Sequence, residues 1–159
     1  MAPASTSSRL PLLYRLFFLY IEPVATAVGA YYAHFGQKDY LAMTVPSLSP
    51  TPLGPSKVES IVLTQLANMY LVFALNEALV LRATSDRNVW RIFLLGLLIA
   101  DFGHLYSVNS MGLQTYWRFW EWNAIYWGNL GFVYVGALTR ICFLLDVGLM
   151  SRARTRKSL

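Results

Sequence analysis

Two ionisable residues, Asp101 and His104, lie one helical turn apart inside an otherwise apolar run over residues 91–106. Glu22 and Glu77 interrupt two other apolar runs. Ionisable groups are costly in lipid, so these positions are candidates for function. A buried acid and base can open an epoxide, with water or an internal hydroxyl as nucleophile, or start a cyclisation, and neither reaction needs a cofactor.

We predict that Asp101 acts as the base, polarised by His104, and that Glu22 donates the proton; the acid and base labels can be exchanged. A metal site is a weaker alternative, because Glu22 is the only obvious third ligand at the level of Asp101 and His104, and His34 lies near the far boundary. We therefore predict neither a metal nor a cofactor. A structural alternative stays open, in which Asp101 and His104 satisfy each other and join helices.

The composition indicates a membrane protein, since 56% of the 159 residues are hydrophobic and only 13% are charged. Four apolar runs are each close to the roughly 20 residues that cross about 30 Å of hydrocarbon as a helix. They lack the two-residue alternation of barrel strands. The sequence predicts an all-α fold, a four-helix transmembrane bundle forming a single integral membrane domain over residues 1–159, with helices at about 12–35, 58–81, 89–106 and 122–145.

The positive charges near the helix ends are uneven, which predicts how the bundle is oriented. Nine lie at one end and three at the other, with Arg140 inside the fourth helix: Arg9, Arg15, Arg82, Arg87, Arg91, Arg152, Arg154, Arg156 and Lys157 against Lys38, Lys57 and Arg118. Positive residues favour the cytoplasm, so both termini should be cytoplasmic, including the basic tail at 146–159. This asymmetry, with attraction to anionic membrane lipids, explains the net charge of +5 without nucleic-acid binding.

The opposite end carries two irregular segments. Prolines interrupt the stretch 46–57, which predicts a loop that is either a mobile linker or a lid over a site. The aromatic stretch 116–122 fits an interfacial belt, or the frame of a hydrophobic entrance. The sequence does not separate these uses.

Depth along the helices groups the polar residues. Counted at 1.5 Å per residue, Glu22 lies about 15 Å from the cytoplasmic end and Asp101 about 18 Å, near the midplane. Counted from the other end, Gln65, Asn68 and Asn129 reach a comparable level. We expect all of these side chains to converge on the bundle interior, where the three amides would orient substrate oxygen atoms.

A second polar layer is expected nearer the cytoplasm. Glu77 and Arg140 are each within about five residues of a helix end, and a structural ion pair is the economical assignment.

Pro23 follows Glu22 directly, so the first helix should kink there and expose polar backbone beside the carboxylate. Six glycines within the predicted helices are expected to permit close helix packing: Gly29, Gly96, Gly103, Gly128, Gly131 and Gly136.

Three segments carry a family resemblance: the run 14–24 (YRLFFLYIEPV), the pair Asn76-Glu77, and the run 100–107 (ADFGHLYS). Over nearly its whole length the chain resembles a largely uncharacterised family of small four-helix integral membrane proteins from filamentous fungi, some of them in gene clusters for secondary metabolites. The resemblance implies a small membrane cyclase or epoxide hydrolase that acts on a polyketide or terpenoid. It implies no catalytic residues, so the roles above come from residue chemistry and depth.

The sequence thus predicts a multi-pass enzyme of the endoplasmic reticulum that acts on a lipophilic small molecule, with other biosynthetic enzymes as possible partners. The alternative is a noncatalytic lipid-binding or scaffold protein. Geometry distinguishes the two: the enzyme hypothesis fails if Glu22 and Asp101 face different sides of the bundle with no cavity between them.

Overall fold

The described part of the protein contains four long helices, as the sequence predicts. The computed structural model describes residues 10–45 and 54–149, which contain helices and no strand. We number the helices α1 (Leu12–Phe35), α2 (Gln37–Thr44), α3 (Lys57–Ala83), α4 (Arg87–Ser107) and α5 (Ala124–Leu144). All except the short α2 are long and apolar enough to cross a membrane.

Local capping explains where three of the helices begin. Ser56 and Glu59 form a reciprocal capping box at the start of α3, with hydrogen bonds of 3.2 and 2.7 Å. The Asp86 carboxylate accepts from the backbone of Asn88 at 2.8 Å before α4. The Asn123 side chain accepts from the backbone of Tyr126 at 3.0 Å as α5 begins. Each cap satisfies a backbone N–H that has no partner inside its helix.

The irregularity expected at Glu22-Pro23 takes the form of a π-helical turn over Phe17–Ile21, directly before these residues. Proline has no N–H, so the carbonyl of Leu19, four residues earlier, lacks its usual helical donor. Arg82 of α3 supplies a donor, because its Nη2 lies 2.8 Å from Leu19 O. The guanidinium also lies over the Tyr20 ring, 4.6 Å from its centroid. The carbonyl that loses its helical donor in α1 therefore forms a contact between α1 and α3.

The bundle is built from two helix pairs, α1 with α3 and α4 with α5, and α2 rests on the start of α5. An aromatic core fills the end near Ala83 and Arg87, where Phe18, Leu94 and Phe143 are fully buried. A smaller cluster at the other end consists of Ala33, Tyr40, Leu63 and Ala67. The polar residues described below lie between these two apolar clusters.

The predicted spans agree with the four long helices to within a few residues, but two features were not predicted. One is α2, which follows α1 after Gly36. The other is a series of 3₁₀ turns after α4, at Val108–Met111, Leu113–Tyr116 and Phe119–Glu121. Most of the predicted Pro-rich loop (46–53) and most of the predicted basic tail (150–159) lie outside the described residues.

Candidate functional site

Four charged residues, one from each long helix, meet around a single guanidinium. Arg140 of α5 donates from Nη1 to Asp101 Oδ2 of α4 at 2.7 Å and from Nη2 to Glu77 Oε1 of α3 at 3.4 Å. Nη2 also donates to Glu22 Oε1 of α1. Arg140, Glu77 and Glu22 are 3%, 2% and 6% exposed. We refer to these four residues as the charged cluster.

The direction of the Arg140 side chain explains why the cluster forms near the middle of the bundle. In a helix, side chains are inclined toward the N-terminus, so a long side chain near the end of α5 reaches back along the helix. Gly136, one turn earlier, leaves room for it: a Cβ there would lie 2.8 Å from Arg140 Nη1 and 3.3 Å from Glu22 Oε1. Gly136 therefore has a role at this site that helix packing alone does not describe.

A cavity of about 750 Å³ adjoins the charged cluster. It runs between the long helices and is lined mainly by apolar and aromatic groups, with the charges at one end. On α3 and α4 its lining residues fall on one stripe of the helix, at spacings of three and four residues, whereas the first turns of α5 line it more broadly. The lining residues include Ala25, Thr26 and Gly29 of α1, Tyr70 and Phe73 of α3, Leu97 and His104 of α4, and Asn129, Phe132 and Val133 of α5.

Three buried polar atoms of residues that line this cavity have no hydrogen-bond partner among the described residues. They are Glu22 Oε2, His104 Nε2 and Arg140 Nε. Buried polar atoms are normally hydrogen-bonded, so the polar end of the cavity lining is incompletely satisfied by the described residues.

The short helix α2 closes the opposite end of the cavity. Tyr40 and Met43 line it there. Asn123 Nδ2 donates to Met43 O at 2.7 Å, and the Tyr126 hydroxyl donates to Thr44 O at 2.8 Å. These two bonds fix α2 to the start of α5, so the distance between α2 and the charged cluster is set by the length of the bundle.

Several residues predicted for the site do come together. Glu22, Asp101, His104 and Asn129 line the same cavity. Glu22 and Asp101 also contact the same guanidinium, although they belong to different helix pairs. The geometric condition set for the enzyme hypothesis is therefore met.

The expected position of Gln65 and Asn68 is wrong. Both are exposed and line a separate groove of about 590 Å³ between α1 and α3. Asn68 precedes Glu77 by nine residues, and each residue turns the helix by about 100°. The two side chains therefore lie about 180° apart around α3, and Glu77 is the one that faces the interior. Depth alone does not show this rotation, whereas a helical wheel centred on Glu77 would have shown it. The same wheel would have placed Tyr70 and Phe73 in the cavity.

The expected separation into two polar layers is also wrong. Glu77 and Arg140 are in contact, but Arg140 also binds Glu22 and Asp101. The depth count used Cα positions and ignored the length and direction of the arginine side chain. Within the described ranges, no group of three His, Cys, Asp or Glu residues is placed to hold a metal ion.

Comparison with known proteins gives a family and no activity. No curated protein and no solved structure matches the chain. A family model described as a domain of unknown function, DUF7704, matches residues 7–150. Since that match covers most of the 159 residues, the chain belongs to the DUF7704 family.

Proposed function

We propose that this protein is a membrane-embedded enzyme that opens an epoxide or closes a ring on an apolar, oxygenated small molecule by acid/base chemistry. One observation carries the proposal: Glu22 and Asp101 come from different helices, yet they bind the same guanidinium and line the same cavity. A pair of carboxyl groups facing one cavity can supply both an acid and a base.

In the epoxide reaction, Asp101 takes a proton from water or from a hydroxyl of the substrate. The oxygen so activated attacks an epoxide carbon, the carbon–oxygen bond breaks, and the epoxide oxygen takes a proton from the Glu22 carboxyl group. Water as nucleophile gives a vicinal diol, and an internal hydroxyl gives a ring with one new hydroxyl. His104 and Asn129 also line the cavity, and their side chains are proposed to orient substrate oxygens.

The net charge of the cluster favours carboxyl groups that hold one or more protons. Three carboxylates around one guanidinium carry a net charge of −2 when all are ionised. Uncompensated charge is expensive in an apolar interior, so protons held by the carboxyl groups bring the cluster closer to neutrality. Each turnover leaves a proton on Asp101 and removes one from Glu22. Because Arg140 contacts both, their charges are coupled and the proton can return within the cluster or through water.

The cavity lining indicates the substrate class. Tyr70, Phe73 and Phe132 present apolar and aromatic surface to a ligand. Aromatic faces can also stabilise positive charge that develops during a cyclisation. A lipophilic polyketide or terpenoid of secondary metabolism fits this lining. We propose the endoplasmic reticulum as its location, with both termini in the cytoplasm; the distribution of positive residues supports this orientation.

Metabolite profiling after gene deletion tests the proposal. We expect the deletion strain to accumulate an apolar, oxygenated precursor. Re-expressed Asp101→Asn and Glu22→Gln variants should reach the membrane at normal levels without restoring the product, because each keeps the side-chain shape and loses a proton-transfer group.

Asp146→Asn and Glu121→Gln are matched controls, since these carboxylates form exposed ion pairs with Arg91 and Arg118. Both controls should restore the product. Normal product from both Asp101→Asn and Glu22→Gln would remove the acid/base proposal. That result would leave a lipid-binding or scaffold protein in which the charged cluster joins the helices.

A further inference from the structure

The groove between α1 and α3 contains polar groups where a membrane protein can least accommodate exposed ones. Gln65 and Asn68 are exposed on the outer surface of α3. Asn68 is the twelfth of 27 residues in that helix, which places it about 16 Å from the start of a helix about 40 Å long. It therefore lies near the centre of the span.

Neither amide has a partner in the described part of the chain. The neighbouring Thr64 hydroxyl accepts from Gln37 Nε2 at 3.3 Å, whereas no described residue hydrogen-bonds the Gln65 or Asn68 side chain. A polar group exposed to hydrocarbon without a hydrogen bond is strongly unfavourable. Something other than lipid tails must cover this surface.

The shape of the groove suits a helix. Its buried lining consists of Ala30 and Ala67, which are 8% and 5% exposed, and the exposed Ala27 also lines it. Small residues let another helix approach closely, and amide side chains beside them form interhelical hydrogen bonds. The outer faces of α4 and α5 differ, since Ile92, Ile99 and Leu138 are more than 60% exposed there, as expected for surfaces that contact lipid.

We propose that this groove is a dimer interface occupied by a second copy of the same chain. An amide group is both donor and acceptor, so the same residue from a copy related by a two-fold axis satisfies both of its functions. The groove-lining residues include no Asp, Glu, Lys or Arg, so two copies do not repel each other there. The axis would pass near Asn68, and the interface would lie on the surface of α3 opposite Glu77. The inference does not depend on the catalytic proposal.

Fluorescence energy transfer between labelled full-length chains in phosphatidylcholine vesicles tests this interface, with the protein diluted in lipid. We expect the wild type to dimerise and the double variant Gln65→Leu, Asn68→Leu to lose about tenfold or more in association constant, because several interhelical hydrogen bonds are lost. Both substitutions make an exposed span more apolar, so they do not oppose membrane insertion. Thr139→Val is the matched control: Thr139 is a partly exposed polar residue on α5 that donates a hydrogen bond within its own helix, to Val135 O at 2.7 Å. It should dimerise as the wild type does.

Disulfide crosslinking locates the contact. In a Cys142→Ser background, Leu71→Cys at the groove should crosslink and Ile99→Cys on α4 should not. A wild type that stays monomeric in the vesicles would overturn the proposal. So would equal association of the wild type and the double variant, or crosslinking at Ile99→Cys in place of Leu71→Cys.

Discussion

Replacing Arg140 by methionine should destabilise the bundle more than any other single loss of charge. The substitution keeps much of the side-chain volume and removes the donors to Glu22, Glu77 and Asp101, on three other helices. Removing one partner of a buried ion pair costs about 3–5 kcal/mol, because the remaining charges stay buried without compensation. Protonation of the carboxyl groups can relieve part of this cost, so the lower half of that range is the firmer expectation. Even about 3 kcal/mol is a large share of the 5–15 kcal/mol that typically holds a folded protein together.

Denaturation in mixed detergent micelles, followed by tryptophan fluorescence, measures this cost. Trp90 is a suitable reporter, since it is 2% exposed and stacks on Phe143 at 5.9 Å. Arg118→Met is the matched control, because Arg118 forms an exposed pair with Glu121 at 3.3 Å and such pairs contribute about 0–1 kcal/mol. Arg140→Lys should be intermediate, since one ammonium keeps the charge but cannot reach three carboxylates with the same geometry. A loss below about 1 kcal/mol for Arg140→Met would show that the charged cluster does not hold the helices together.

Two further substitutions test the local structure around the cluster. Gly136→Ala should cost about 1–3 kcal/mol in the same unfolding assay, because the new Cβ would lie 2.8 Å from the Arg140 guanidinium. Gly96→Ala is the control and should be neutral or stabilising, since a Cβ there meets nothing within 4 Å. Equal effects of the two substitutions would contradict the steric argument. Arg82→Met should cost about 1–3 kcal/mol, because it removes the side-chain donor to Leu19 O. It should also speed amide hydrogen exchange over residues 17–21. Unchanged exchange would mean that another group compensates for the N–H that Pro23 lacks.

The sequence predicts the four long helices well because lipid leaves little choice. Each apolar run must satisfy its own backbone, so its length and position translate directly into a helix. The short helix α2 is different: residues 37–44 are not strongly apolar, and they become helical where Tyr40 packs on Leu63 and Ala67 and where Asn123 and Tyr126 bond its last turn. Those contacts depend on residues far away in the chain, which no local pattern contains.

The site is predicted in part, and the errors have one physical origin. Depth along a helix is linear in residue number, so it places Glu22 and Asp101 at one level, as the structure does. Depth contains neither the rotation of a helix nor the reach of a side chain. Rotation turns Asn68 to the outer surface. Reach brings Arg140 back along α5 to the level of Asp101, into the space left by Gly136.

The charged cluster fixes the arrangement of the helices and the polarity of the cavity at the same time. Helices in lipid gain little from hydrophobic contact with one another, so specific polar contacts have a large share in setting their rotation and register. Here α1, α3 and α4 each contribute one carboxylate to the guanidinium of α5, and a change of rotation in any of the four helices would break these contacts. The same arrangement places every formal charge of the cavity lining at one end, while Tyr40 and Met43 of α2 close the other. For the apolar, oxygenated substrate proposed above, this distribution of charge would favour binding with the oxygen atoms toward Glu22 and Asp101.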